Sequence, residues 1–339
     1  MQITPFRADD PVDFEDYFSV RTALHLPGIT VKPTRERVRT TAGVSRPGVT
    51  RHEWLAREDG KVVGHLSVDL PQEANRHMAL GFVGVVPWYR RAGRGRAMHD
   101  FLLDFAAAEG RTTVLSSARA PIEGGAEIDP AGVRFGEAMG YTVAQTTLLS
   151  RLDLDTVEPG AHEELEAKAA AHADGYTFVT WLEGPGHELP EEYVDDLAHL
   201  EYRLTADMPT GDMDVEPEPP NPELIRQRAR QAAATGTPLV HAAARHEESG
   251  RLVAWTFISV SPIDTTRAAQ AITVVDPDHR GHRLGLLVKL ANLRRGTAEH
   301  PGLRLIDTNN AEDNAPMIAV NRALGYRPHS YELNLQHKA

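Results

Sequence analysis

The sequence contains no cysteine. That absence excludes disulfides, thiolate nucleophiles and thiolate metal sites. Positive charge is in deficit as well: 36 Lys and Arg stand against 48 Asp and Glu, a formal net charge of −12. A chain this acidic lacks the cationic footprint that neutralises phosphates, so nucleic acid is not expected as a partner. Acidity suits a cationic or amine ligand better. Apolar runs are short, and none approaches the roughly 20 residues of a membrane-spanning helix. The first residues, Met1-Gln2-Ile3-Thr4-Pro5-Phe6-Arg7, lack the basic-then-apolar order of a secretory signal. The expectation is a soluble cytoplasmic protein with no membrane partner. The 16 histidines fall at no compelling metal-ligand spacing, so no metal is expected. No Gly-rich stretch carries the Lys-Ser/Thr of a P-loop or the full glycine fingerprint of a dinucleotide-binding turn.

What is present is ordinary in bulk, with 41% apolar and 25% charged residues. At 339 residues the length predicts two domains. One stretch occurs twice. Val86-Pro87-Trp88-Tyr89-Arg90-Arg91-Ala92-Gly93-Arg94-Gly95 has its counterpart in Asp276-Pro277-Asp278-His279-Arg280-Gly281-His282-Arg283-Leu284-Gly285, 190 residues later. Each follows a β-like run and precedes a helix-period segment. A strand that runs through a Gly- and Arg-rich turn into a helix start presents orphan N–H groups and a positive helix end to an anion, and successive turn amides form a nest for it. The repeat also supports two domains independently. Arg283 stands where the first copy has Gly93; a residue that keeps φ negative there needs no Gly and still donates its N–H.

Both stretches resemble the acyl-CoA pyrophosphate loop of the GNAT acetyltransferase family, whose pattern is Arg or Gln, two residues, Gly, one residue, then Gly or Ala. The first copy matches at Arg90, Gly93 and Gly95; the second matches at Arg280 and Gly285. The surrounding pattern has the same order in each half. In the first, a strand at 3–7 and a helix at 11–25 lead to strands at 53–57 and 61–70, joined at Asp59-Gly60. Then come a strand at 78–86, a helix at 94–109, a strand at 112–117, a helix at 130–139 and a strand at 141–154. In the second, a strand at 177–181 and helices at 188–204 and 222–234 precede strands at 238–246, 251–260 and 269–275. A helix at 284–298, a strand at 303–308, a helix at 313–324 and a strand to 335 close it. The resemblance therefore implies a mixed α/β fold of two tandem GNAT domains, at 1–155 and 175–339, with a connector helix in 156–174. Tandem relatives of the mycothiol synthase type imply a catalytic second half and a first half that is catalytically silent while retaining a CoA loop.

By the same resemblance, acetyl-CoA is the acyl donor. Its pyrophosphate falls to Arg280, Gly281, His282, Arg283, Leu284 and Gly285, and in the first half to Arg91, Ala92, Gly93, Arg94, Gly95 and Arg96. A backbone N–H at Val274 or Val275, or at Val85 or Val86 in the first half, stabilises the oxyanion. The family places Asn, then Tyr seven residues on, then Gly and an aromatic; here these positions hold Asn314, Asn321 and Gly325-Tyr326, with Asn309 on the strand before. The usual thiol acid is absent, and Asn321 is the residue left to hydrogen-bond the sulfur. In the first half the corresponding residues are Asp129 and Gly136. Candidate bases are His241, Glu201 and the acidic loop of Asp207, Asp212 and Asp214, which lies where an acceptor amine is expected. The reaction implied is acetyl transfer to a primary amine of a small, cationic molecule by a monomer or homodimer. Two alternatives remain open: a non-catalytic CoA-binding sensor or scaffold, and an acetyltransferase acting on a protein N-terminus or Lys.

Overall fold

The structure, a computed structural model, describes residues 1–338. It divides into two units. Unit 1 comprises Met1–Thr146, Gly211–Val215 and the chain from Tyr331 on; unit 2 comprises Thr147–Thr210 and Glu216–Ser330.

The chain forms β1 (Gln2–Pro5), α1 (Pro11–Ala23), α2 (Arg35–Thr41), β2 (Val49–Glu58), β3 (Lys61–Pro71), β4 (Met78–Val85), α3 (Arg94–Ala108), β5 (Thr113–Ala120), α4 (Ala131–Ala138) and β6 (Thr142–Asp153). It continues as α5 (Ala161–Ala170), β7 (Tyr176–Glu183), α6 (Val194–Asp207), α7 (Pro222–Ala234), β8 (Leu239–His246), β9 (Leu252–Val260), β10 (Arg267–Val275), α8 (Leu284–Glu299), β11 (Leu305–Ala311), α9 (Ala315–Ala323) and β12 (Arg327–Lys338). Local chemistry sets many of these ends. Asp10 caps α1 by accepting from the N–H groups of Val12 and Asp13, and Asn221 caps α7, whose first residue is Pro222. Among the described residues no helix is long and apolar enough to cross a membrane.

In unit 1 the sheet order is β1-β2-β3-β4-β5-β12, antiparallel except at β4–β5. Trp54, Leu66, Val68, Met98 and Leu102 form the core beneath α3, while Phe14, Tyr17, Val38 and Leu55 pack with α1 and α2. In unit 2 the order is β6-β11-β10-β9-β8-β7, with only β10–β11 parallel. Strand alternation divides β8 between two cores: Ala242 and Ala244 pack with α8, and Ala243 lies with Trp181, Leu197 and Trp255 beneath α6 and α7.

The strand that ends each half of the sequence is built into the other unit. Residues Tyr331 to Lys338 of β12 pair with β5, from Tyr331↔Ala120 to Lys338↔Thr113. Thr147 to Asp153 of β6 pair with β11, from Ala311↔Thr147 to Leu305↔Asp153.

Candidate active site

In each unit two parallel strands begin paired and then part. β4 and β5 are joined at Met78↔Thr113, Ala79↔Val114 and Leu80↔Leu115; β10 and β11 at Arg267↔Leu305, Ala268↔Ile306 and Ala269↔Asp307. Beyond those pairs each strand couple opens as a wedge, and the chain leaves its far end through the Gly/Arg turn. The wedge edge carries free backbone donors. Asp276 N–H bonds to Val253 O, on the β9 side. Successive N–H groups of a strand point to opposite edges, so the Val275 N–H faces the wedge and the Val274 N–H faces β9. By the same reasoning Val86 N–H, bonded to Val63 O, leaves Val85 N–H facing the wedge of unit 1. Unit 2 has a further feature there: a β-bulge between Gln270 and Ile272 breaks the register with β9. Bulges re-aim backbone groups and gather next to active sites.

The turns are near copies. Each begins with a short 3-10 turn, Pro87–Tyr89 or Pro277–His279, and neither α3 nor α8 has a side-chain cap, so their first N–H groups are available to an anion. Each has two left-handed residues. In the first they are Arg91 (φ 66) and Gly93 (φ 77); in the second, Gly281 (φ 90) and Arg283 (φ 58). The expectation that Arg283 keeps a negative φ is therefore corrected: it adopts the conformation of Gly93, and the Gly of the pair has moved to position 281. A Cβ at Gly93 or Gly281 would meet nothing within 4 Å, so both turns lie open.

The cations on the turns are partly committed. Arg94 is ion-paired to Glu58 and donates to Tyr89 O at 3.0 Å, which turns it away from a phosphate. Arg90 faces Asp129 at 3.5 Å. Arg91, Ala92 and Arg96 are exposed. Arg280 pairs with Asp207 at 2.7 Å, the same carboxylate that Arg203 holds. His282 Nδ1 lies 3.1 Å from His172 O, and His279 Nδ1 lies 3.0 Å from the Tyr176 hydroxyl. Leu284 is buried at the start of α8.

The remaining candidates separate. Asn314 caps α9 by accepting from Met317 N–H. Asn309 is exposed on β11. Asn321 is 3% exposed; its Nδ2 donates to Asn310 Oδ1 at 2.6 Å, and its own Oδ1 has no partner. His241 is withdrawn as a base: its ring stacks between Trp181 and Phe257, and burial pushes its pKa down to about 3, so it does not reach solvent and is too weakly basic to take a proton from an ammonium at neutral pH. Asp212 is also corrected as an element of the second half's acceptor site. Its N–H bonds to Ala144 O at 2.8 Å, and the segment Gly211–Val215 belongs to unit 1. Gly211 adopts φ 59, where a Cβ would approach Ala144 O to 2.4 Å, and Asp214 accepts from Thr113 Oγ1, which holds its carboxyl below the usual range.

The acetyltransferase (GNAT) family model matches residues 28–121, the span that includes the first wedge and turn. A tandem GNAT protein from the clavulanic acid biosynthesis pathway is similar over the whole length, at 29% identity, 99% of this chain, 98% of that chain and a TM-score of 0.83. Residues 28–121 thus match a GNAT acetyltransferase domain, and over its whole length the chain has the fold of a tandem GNAT protein. In fold it also resembles a GCN5-related N-acetyltransferase from Sphaerobacter thermophilus (15% identity, 99% and 95% of the two chains, TM-score 0.63) and the Saccharomyces cerevisiae N-myristoyltransferase (12%, 99% and 77%, 0.58). No curated protein matches the sequence significantly. These likenesses are to acyltransferases, and the donor that a GNAT fold generally serves is an acyl-CoA.

Three buried side chains escaped the sequence reading. Lys289 is buried at 2% exposure inside α8, its Nζ 5.2 Å from the centre of the Tyr326 ring. His99 is 4% exposed in α3, its Nδ1 3.7 Å from Asp100 Oδ1 and its Nε2 without a hydrogen bond. Glu183 is 6% exposed on β7. The signal for Lys289 is visible in retrospect: it is the one charge inside Leu286-Leu287-Val288-Lys289-Leu290-Ala291, a run with no polar face to carry it. Behind the bulge, Gln270 Nε2 donates to Thr256 Oγ1, Phe257 O and Asn292 Oδ1, and Asn292 Nδ2 donates to Val240 O, a buried polar brace between β10 and α8.

Proposed function

We propose that unit 2 transfers an acetyl group from acetyl-CoA to a primary amine of a small molecule, and that unit 1 holds CoA without performing transfer. The bulge in β10 carries this reading. It lies in the strand whose Val275 N–H faces the wedge, while β4 keeps unbroken register with β3 from Gly64↔Val85 to Asp69↔Leu80. The N–H groups at the start of α8, with Arg280, Gly281, His282, Arg283 and Gly285, receive the pyrophosphate. Holding the thioester beside the amine lowers the entropic cost of meeting. Val275 N–H donates to the oxyanion that forms when the amine attacks. Unit 1 has Asp129 and Gly136 where unit 2 has Asn314 and Asn321, so its wedge lacks an amide beside the thiol.

The acceptor is an amine because the family's chemistry is N-acetylation and because the net charge of −12 draws cations. The test is calorimetric titration with acetyl-CoA on the wild type, Gly93→Asp and Gly285→Asp, each variant placing a carboxylate at one turn. Loss of one binding event in each variant is expected, and thiol release with a panel of amines should fail only in Gly285→Asp. Activity lost in Gly93→Asp and kept in Gly285→Asp reverses the assignment.

A further inference from the structure

The second wedge lacks the tyrosine that would protonate the departing thiol, yet the repeat shows what lines that place. In unit 1 a cavity of about 80 Å³ opens between β4 and β5, and His99 of α3, Gly136 of α4 and Tyr141 are among its walls. The two halves align through the turns, Gly95 with Gly285, and through Gly140-Tyr141 with Gly325-Tyr326. On that alignment His99 corresponds to Lys289, Gly136 to Asn321 and Tyr141 to Tyr326. The contacts agree: His99 meets the Tyr141 ring edge-on at 5.4 Å, and Lys289 Nζ lies over the Tyr326 ring at 5.2 Å. By this correspondence, the residues that line the hollow of unit 1 are replaced in unit 2 by Lys289, a buried amine, and by Asn321, whose buried Oδ1 has no partner. Lys289 lies four residues into α8 from Gly285, about 6 Å along the axis from the phosphate turn.

We propose that Lys289 is the general acid of the second unit, giving its proton to the sulfur of CoA as the C–S bond breaks. This rests on the reading that unit 2 performs transfer. The amine nitrogen forms its bond to the thioester carbon, the electron pair of the C–S bond leaves on sulfur, and the Lys289 ammonium protonates that sulfur to give the free thiol. The proton shed by the new amide nitrogen restores the ammonium, so the step closes without an external acid. Burial alone pushes the Lys289 pKa down to about 7, where a group can give and regain a proton at neutral pH.

The test uses the full chain in a Gly93→Asp background, so that CoA loads only the second turn, with and without Lys289→Met. Ionisation of the bound CoA thiol is followed by its ultraviolet thiolate absorbance against pH. With Lys289 in place the thiolate is expected to form about one to three pH units lower than in the Lys289→Met protein, since an ammonium beside a thiol favours the anion. Where an amine from the panel is turned over, kcat should fall about 100-fold while KM for acetyl-CoA holds. Identical thiol titrations in the two proteins overturn the inference. Failure of the Gly93→Asp protein to bind CoA at all overturns the transfer assignment, and this inference with it. Lys289→Met keeps the side chain's length in an apolar core, and a cooperative melt confirms its fold; Lys289→Gln, read by the same titration, serves as the second variant.

Discussion

Glu183 and His241 show how burial sets the charge of single residues. His241 accepts the Trp255 Nε1–H on Nδ1 at 3.1 Å, so its proton sits on Nε2, 3.6 Å from Glu183 Oε2. The site is dry enough to hold the imidazole neutral and to push the Glu183 carboxyl up to about 7 from 4.5. The two have opposite consequences. A carboxyl raised in the fold keeps a proton that the unfolded chain releases, so its contribution is complete below pH 4.5 and is lost as pH rises through 7. A histidine lowered in the fold contributes above pH 6.5 and loses that contribution as pH falls towards 3. Glu183→Gln removes the first effect alone. The stability of the wild type relative to this variant should fall between about pH 5 and pH 8 by up to about 3 kcal/mol, read from melts at both values. A difference that does not move with pH would mean that Glu183 ionises in the fold as freely as in the unfolded chain.

Among the elements, the Gly/Arg turn is the most legible in sequence, because its signals are local. The Pro, the Arg, the closing Gly and the apolar helix that follows lie within a few residues, and α3 and α8 begin where that pattern places them, at Arg94 and Leu284. What the pattern conceals is which residues turn left-handed. Two such positions are needed in each turn, and the two copies fill them in opposite order, Arg-then-Gly at 91 and 93 and Gly-then-Arg at 281 and 283. A spacing rule that looks for Gly at one position sees a full match in one copy and a gap in the other. The strain at Arg283 is testable. Arg283→Gly and Arg283→Ala both remove the charge, but only Ala keeps a Cβ at positive φ. Gly should be the more stable of the two by about 1 kcal/mol, in denaturant unfolding. The reverse order, which is usual at a helix start with ordinary φ, would place residue 283 outside the left-handed region. The buried network behind the bulge is less legible: Gln270, Thr256 and Asn292 come from β10, β9 and α8, and no short window joins them.

For the molecule as a whole, the exchanged strands are what local pattern could not disclose. Residues of β12 alternate in the same way whichever sheet they enter, and register and partner are set by what waits at the sheet edge. The same holds for Gly211–Val215, read as an acidic loop of the second half: its place in unit 1 depends on Ala144 O, Thr113 and Gln336, none of them near in sequence. The exchange gives the two halves a shared dependence. A fragment of residues 1–155 would carry β5 without the eight pairs that Tyr331 to Lys338 make with it. Such a fragment exposes an unpaired strand edge, a template for association with other chains. Expressed alone it should aggregate or show a broad, weakly cooperative melt. Fusing the 331–338 segment to it through a flexible linker should restore solubility and amide protection along β5 in hydrogen exchange. A soluble, cooperatively folding 1–155 fragment with protected β5 amides would show that β12 merely covers an edge that the first half does not need. Restoration by the fused strand would instead make the exchanged strand part of unit 1's fold, and truncation after Ser330 would then disable the CoA binding proposed for the first turn from a distance.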